Sequence, residues 1–446
     1  MTDQRKKAYI SLYILLLLWA ILYSFPLLGV KPISDTESEL LAYAGTLHGE
    51  NLVDVLEGWT CSEVALRSYC YIVNIFKGLF GGIEDVFWLR FPTAAIMTIL
   101  TMCLFRYDGE HERLGNSFTA ALIFMSCAYV SLMVRSASIV ILPSLLVILT
   151  FVSLSHWARL PKKRNTILFC IAQASTIIFV GHPIIFMTAI MGLACLAIHP
   201  MPKVKNIVKY LLAMLGSVLL AYLFVYIITA DKGLADSMLM DSQMLSSARY
   251  NEANTLYKFA VYMLFTLFPW SVPMLMELPK LFRNPRQVVT GYQQLPVAKQ
   301  FGAVLFMLSI PSMFVYSHFS FALVLACVFF NSPIIGSILL SQYQSHPKWW
   351  KTIAVFVVIA ISAEIVVYMM LCMDYEIAFL SNKAITSWHW LSICLVVGIV
   401  ISMYTLSRNW REMQRNNRFF YNVIILYLLG DSLMTAFILP NIYIGL

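Results

Sequence analysis

The sequence predicts an all-α fold, a polytopic transmembrane bundle of about thirteen spans with interfacial helices in its first outer loop. Three observations carry that expectation. Of the 446 residues 60% are hydrophobic and 12% charged, against about 45–50% and 25% in soluble globular proteins, so polar side chains are too few to cover the chain and lipid must solvate it. Apolar runs of about 20 residues, the length that crosses a bilayer, recur from end to end. Lys and Arg fall between those runs, in every second loop.

The first run occupies residues 8–30, after Arg5, Lys6 and Lys7. It is too long for a secretory signal core and no small-residue cleavage site follows it, so it reads as span one. Further runs centre near residues 95, 124, 147, 173, 191, 218, 266, 308, 329, 362, 398 and 429. The fifth and sixth spans share the break Gly181-His182-Pro183, and the ninth and tenth share Tyr316-Ser317-His318.

Basic residues near span ends stay on the cytoplasmic side. With the N-terminus inside, the inner segments hold Arg106 and Arg113, then Arg159 to Arg164, Lys203 to Lys209, Lys280 to Lys299, Lys348 with Lys351, and Arg408 to Arg418. A missed span would move the basic loops to the other side partway along, and they do not move. The expected topology is therefore a multi-pass plasma (inner) membrane protein with a cytoplasmic N-terminus and an outer C-terminus. The whole chain, 1–446, reads as one transmembrane domain without a separate soluble domain, and its outer segments are 31–85, 230–256 and 374–388.

The net charge of +8 is dealt out between apolar runs and forms no basic face, which argues against nucleic acid as a partner. No C-x-x-C pair, His-rich cluster or glycine-rich phosphate loop appears, which argues against a structural zinc site or a nucleotide-driven pump. No metal is assigned to any residue, and a divalent ion is left open. Glu364 and Asp431 fall within late spans, where an ionisable side chain is expected to face the bundle interior or lie near an interface.

The first outer loop carries the candidate chemistry. Asp35, Glu37 and Glu39 precede an apolar pattern at Leu40, Leu41, Tyr43, Ala44 and Leu47 that fits one face of a short helix. Ser34 or Asp35 can cap that helix, which accounts for one carboxylate and leaves the others unexplained. A second amphipathic stretch runs from Glu63 to Phe80, with Arg67 and Lys77 on its polar side; Cys61 and Cys70 are candidates for a disulfide. Transfer of a sugar from a phosphate leaving group to a hydroxyl needs a base near the hydroxyl and cations near the phosphate. Asp35 or Glu37 can serve as the base. Arg67, Arg135, His182 or Arg249, all placed at the outer face, can hold the phosphate. Arg135 is intramembrane, a costly position unless it faces a polar cavity.

This layout resembles the GT-C class of integral-membrane glycosyltransferases, and within it the protein O-mannosyltransferase and lipid A aminoarabinose transferase group. Asp35-Thr36-Glu37-Ser38-Glu39 stands where that group has its Asp-Glu motif. Leu79-Phe80-Gly81 followed by Trp88-Leu89-Arg90-Phe91-Pro92 is similar to the pattern leading into span two. Phe179-Val180-Gly181-His182-Pro183 matches the place of a lysine-glycine-proline turn, and Leu267-Phe268-Pro269-Trp270-Ser271 that of a proline-tryptophan element in span eight. The resemblance implies Asp35 as general base, a polyprenyl-phosphate sugar as donor, and inversion at the anomeric carbon. It also implies Arg249 as a second cation beside Tyr250, with Tyr250 and Glu39 toward the acceptor. Thr36 follows the motif aspartate where the group has glutamate, so Glu37 or Glu39 would take that second role.

The function so implied is a glycosyltransferase acting on the outer, periplasmic side, with membrane lipids around it and a glycan, lipid or protein as acceptor. Beyond the lipid-linked donor no cofactor is implied. Two other classes fit the sequence: a transporter or flippase for a lipid-linked substrate, and a non-catalytic scaffold that binds the donor. The absence of internal repeats and the odd span count argue against the transporter.

Overall fold

A computed structural model describes residues 3–25, 28, 34–47, 61–80, 85–109, 114–160, 162–198, 204–229, 266–271, 299–300, 302–305, 317–345, 347–372, 389–409 and 418–435. The regular secondary structure of the described residues is helical, without strands. The helices are α1 (Asp3–Ser24), α2 (Asp35–Thr46), α3 (Cys61–Phe80), α4 (Asp85–Gly109), α5 (Leu114–Ser126), α6 (Ala128–Met133) and α7 (Ile141–Arg159). After them come α8 (Lys163–Val180), α9 (Pro183–Ile198), α10 (Val204–Thr229), α11 (Ser317–Ser345), α12 (Pro347–Cys372), α13 (His389–Asn409) and α14 (Arg418–Leu433). Every predicted span has a helix at its centre except those near 266 and 308, which lie largely outside the described residues.

Seven of these helices are long and apolar enough to cross a membrane. They divide by position. The apolar windows of α4 and α11 are 67% and 78% buried, whereas those of α12 and α13 are each 17% buried and turn Phe356, Val397 and Tyr404 outward. The first pair forms the centre of the bundle and the second meets lipid, which leaves an exposed apolar side chain at no cost.

Helix breaks are repaired by neighbours, as backbone groups in a membrane must be. At Cys127, between α5 and α6, the Ala128 amide donates to the Phe268 carbonyl at 2.9 Å and the Trp270 indole donates to Ser126 Oγ at 2.8 Å. The proline-tryptophan element thus closes the break in span three. Between α8 and α9 the chain turns at Gly181, with φ 79°, a conformation glycine adopts without a steric cost. Pro183 then opens α9, where its missing N–H is no loss.

The sequence left a Cys61–Cys70 disulfide open, and the backbone excludes it. Both residues lie in the continuous helix α3, nine positions apart, or about 13 Å of rise, beyond the roughly 7 Å that a disulfide spans between Cα atoms. The Cys70 thiol is buried and free.

Candidate functional site

The site is built where α2, α4 and the loop between α6 and α7 converge. Ser34 is the N-cap of α2: its hydroxyl accepts from the Glu37 amide, and Glu37 Oε2 accepts in return from the Ser34 amide at 3.2 Å. This capping box fixes the first turn. The backbone of Asp35 opens the helix directly after the cap; its side chain lies outside the described residues.

Glu37 does more than cap. Arg90, inside α4 and fully buried, donates from Nε to Glu37 Oε1 at 2.9 Å and from Nη2 to Oε2 at 2.7 Å, while its Nη1 donates to the Leu28 carbonyl at 2.6 Å. The Ala137 amide donates to Glu37 Oε1 at 2.9 Å. One carboxylate therefore joins the start of α2, span α4 and the α6–α7 loop. Burial pushes the Glu37 pKa up, but the hydrogen bonds from Arg90 and Ala137 outweigh it and hold the group below its usual range. A carboxylate kept ionised and accepting four hydrogen bonds is a weak proton acceptor. Its geometry is that of an anchor.

The α6–α7 loop is pinned on two further sides. The Ser138 amide donates to Thr93 Oγ1 at 3.2 Å, and Thr93 also meets the Tyr69 hydroxyl, which donates to the Leu89 carbonyl at 2.6 Å. Arg135 Nη2 donates to the Tyr23 carbonyl at 2.7 Å, at the end of α1, and the guanidinium carbon stands 5.9 Å from the Tyr23 ring centroid. Because Glu37 and Ala137 are in contact, the backbone of Asp35 and the arginine two residues before Ala137 belong to one neighbourhood. The arrangement brings the loop that carries Arg135 to the start of α2.

The other candidates scatter. Arg67, expected on the polar side of α3, is instead buried and donates from Nε to the Tyr43 hydroxyl of α2 at 3.1 Å; Asn74 of α3 donates to the Ala44 carbonyl. Those bonds hold α2 against α3. His182 is buried at the α8–α9 turn with its ring edge-on to Phe186. Glu39 is exposed on α2. Arg249 and Tyr250 lie outside the described residues. Among the described residues no group of three or more His, Cys, Asp or Glu could hold a metal ion.

Sequence reasoning did not place Arg90, Tyr23, Ser131 or Asp431 in this region. Arg90 was visible as a charge within an apolar run, a costly placement that needs a partner. Asp431 gave the same signal, and its partners come from α1 and α6: Tyr23 donates to Asp431 Oδ2 at 2.5 Å and Ser131 donates to the same oxygen at 3.0 Å.

No family model matches the chain, and no curated protein matches it by sequence. Among solved structures it is similar to ArnT from Cupriavidus metallidurans bound to undecaprenyl phosphate, with a TM-score of 0.55 and 11% identity, over 98% of this chain and 77% of that one. The chain accordingly has the polytopic membrane fold that its sequence resembles.

Proposed function

We propose that this protein is a membrane glycosyltransferase that moves a sugar from a polyprenyl-phosphate donor to an acceptor hydroxyl at the outer face of the membrane. The observation that carries the reading is the Glu37 junction, which holds the start of α2 against the loop bearing Arg135, in a fold shared with a protein that binds undecaprenyl phosphate.

Asp35 takes the proton of the acceptor hydroxyl as that oxygen attacks the anomeric carbon. The bond from the anomeric carbon to the phosphate oxygen breaks, and its electron pair leaves with the polyprenyl phosphate. Direct displacement inverts the anomeric centre. Arg135 meets the charge that grows on the leaving phosphate, where a fixed cation in a low dielectric acts strongly. Arg249 serves as a second cation, and Glu39 and Tyr250 border the acceptor. Glu37 acts through Arg90 and Ala137 as a positioning residue.

The test is to incubate purified protein in nanodiscs with labelled polyprenyl-phosphate sugar and total envelope lipid. Label on an acceptor is the expected result. Donor bound without transfer would replace the enzyme with a scaffold, and intact donor carried across proteoliposomes would replace it with a flippase.

A further inference from the structure

Many buried polar groups among the described residues serve their own helix turn, as Ser126, Ser332 and Ser432 do with carbonyls three or four residues back. Asp431 does not. It lies on α14, far along the chain from the outer-face cluster, and accepts hydrogen bonds from two other helices, Tyr23 of α1 and Ser131 of α6. Tyr23 in turn faces Arg135 twice, through its carbonyl and through its ring. A continuous path of contacts runs from the α14 carboxylate through Tyr23 to the loop cation.

Helix α14 is seated closely against α12. Gly430, next to Asp431, lets α12 approach so far that a Cβ there would stand 2.6 Å from Ile361 Cγ1 and 3.0 Å from Glu364 Oε2. A charged group inside a bundle is kept only where it is compensated, and a charge-assisted hydrogen bond orients its partner more firmly than a neutral one. The Tyr23 hydroxyl is fixed by Asp431, so the end of α1 and the carbonyl that receives Arg135 are fixed with it.

We propose that Asp431 is a positioning residue which, through Tyr23, holds the Arg135 guanidinium where the phosphate of the lipid donor docks. The inference rests on the glycosyltransferase reading for the identity of that ligand. It adds that the donor site depends on α14.

Binding of undecaprenyl phosphate to the full-length protein in nanodiscs, measured by thermophoresis without any acceptor, tests this apart from turnover. Asp431→Asn and Tyr23→Phe should each weaken binding about five- to tenfold, the size of one lost hydrogen bond, and Asp431→Glu should recover most of it. In an Arg135→Ala background, Asp431→Asn should add nothing, because the two act on one contact. Wild-type affinity in both Asp431→Asn and Tyr23→Phe, or a full further loss in the Arg135→Ala background, would overturn the inference and leave the glycosyltransferase reading standing. A wild-type protein that does not bind undecaprenyl phosphate at all would overturn both. Should Asp431→Asn fail to fold, Tyr23→Phe, which loses a single hydroxyl, carries the comparison.

Discussion

Arg90 and Arg135 are both buried arginines of the same bundle, and they are held in different ways. Arg90 sits inside a helix and meets Glu37 face to face, with three nitrogens committed to Glu37 and Leu28. Arg135 sits in a loop, bonded to a carbonyl and set near an aromatic ring, and its tie to Asp431 runs through Tyr23. A bidentate pair at short range locks two helices together, because separating it strands both charges in a low dielectric. A cation held through a carbonyl and a ring can be oriented while still meeting an anion. The first arrangement builds the site; the second, in our reading, works in it.

The sharpest way to break this comparison is Arg90→Met, which leaves Glu37 buried without its cation. It should cost about 3–5 kcal/mol, read as a large fall in melting temperature in detergent, whereas Arg135→Ala should act mainly on affinity for undecaprenyl phosphate. Equal melting of wild type and Arg90→Met would mean that the pair is no anchor. Gly430→Ala forces α12 and α14 apart at Ile361 and should cost about 1–3 kcal/mol, with weaker donor binding as α14 shifts; an unchanged melting point would show that the close approach does not matter. Ser34→Ala removes the cap of α2 and should cost about 1 kcal/mol while reducing transfer, since Asp35 follows the cap directly.

The smallest effect is that of pH. Glu37 has a folded pKa below its ordinary value of 4.5, so the stability it contributes is complete above that value and is lost as pH falls through the lowered one. Melting followed from about pH 7 down to about pH 3 should show a loss below 4.5 that Glu37→Gln lacks. A matching profile in that variant would remove Glu37 from the acid response.

Much of the fold was legible because a bilayer imposes a coarse rule: long apolar runs and alternating basic loops are enough to place helices. The break at Gly181 was readable for a similar reason, since a glycine followed by His182-Pro183 has few other uses in an apolar stretch. The α2 cap was legible in part: the sequence offered Ser34 or Asp35, and Ser34 takes the place. What could not be read was which charges meet. Glu37 and Arg90 are separated by 53 positions, and Tyr23 and Asp431 by 408, and periodicity carries no information across such distances. Arg67 shows the converse failure: its place on the polar side of an amphipathic pattern suggested a cation open to solvent, but α2 packs over it through Tyr43.

Single-turnover transfer from labelled polyprenyl-phosphate sugar by Asp35→Asn, at saturating donor, tests the central claim most directly. The exchange keeps the shape of the side chain and removes its charge, so melting and donor affinity should match wild type while transfer drops by about a hundredfold or more. Transfer at the wild-type rate would contradict the assignment of Asp35 as the base and, with it, this account of the chemistry.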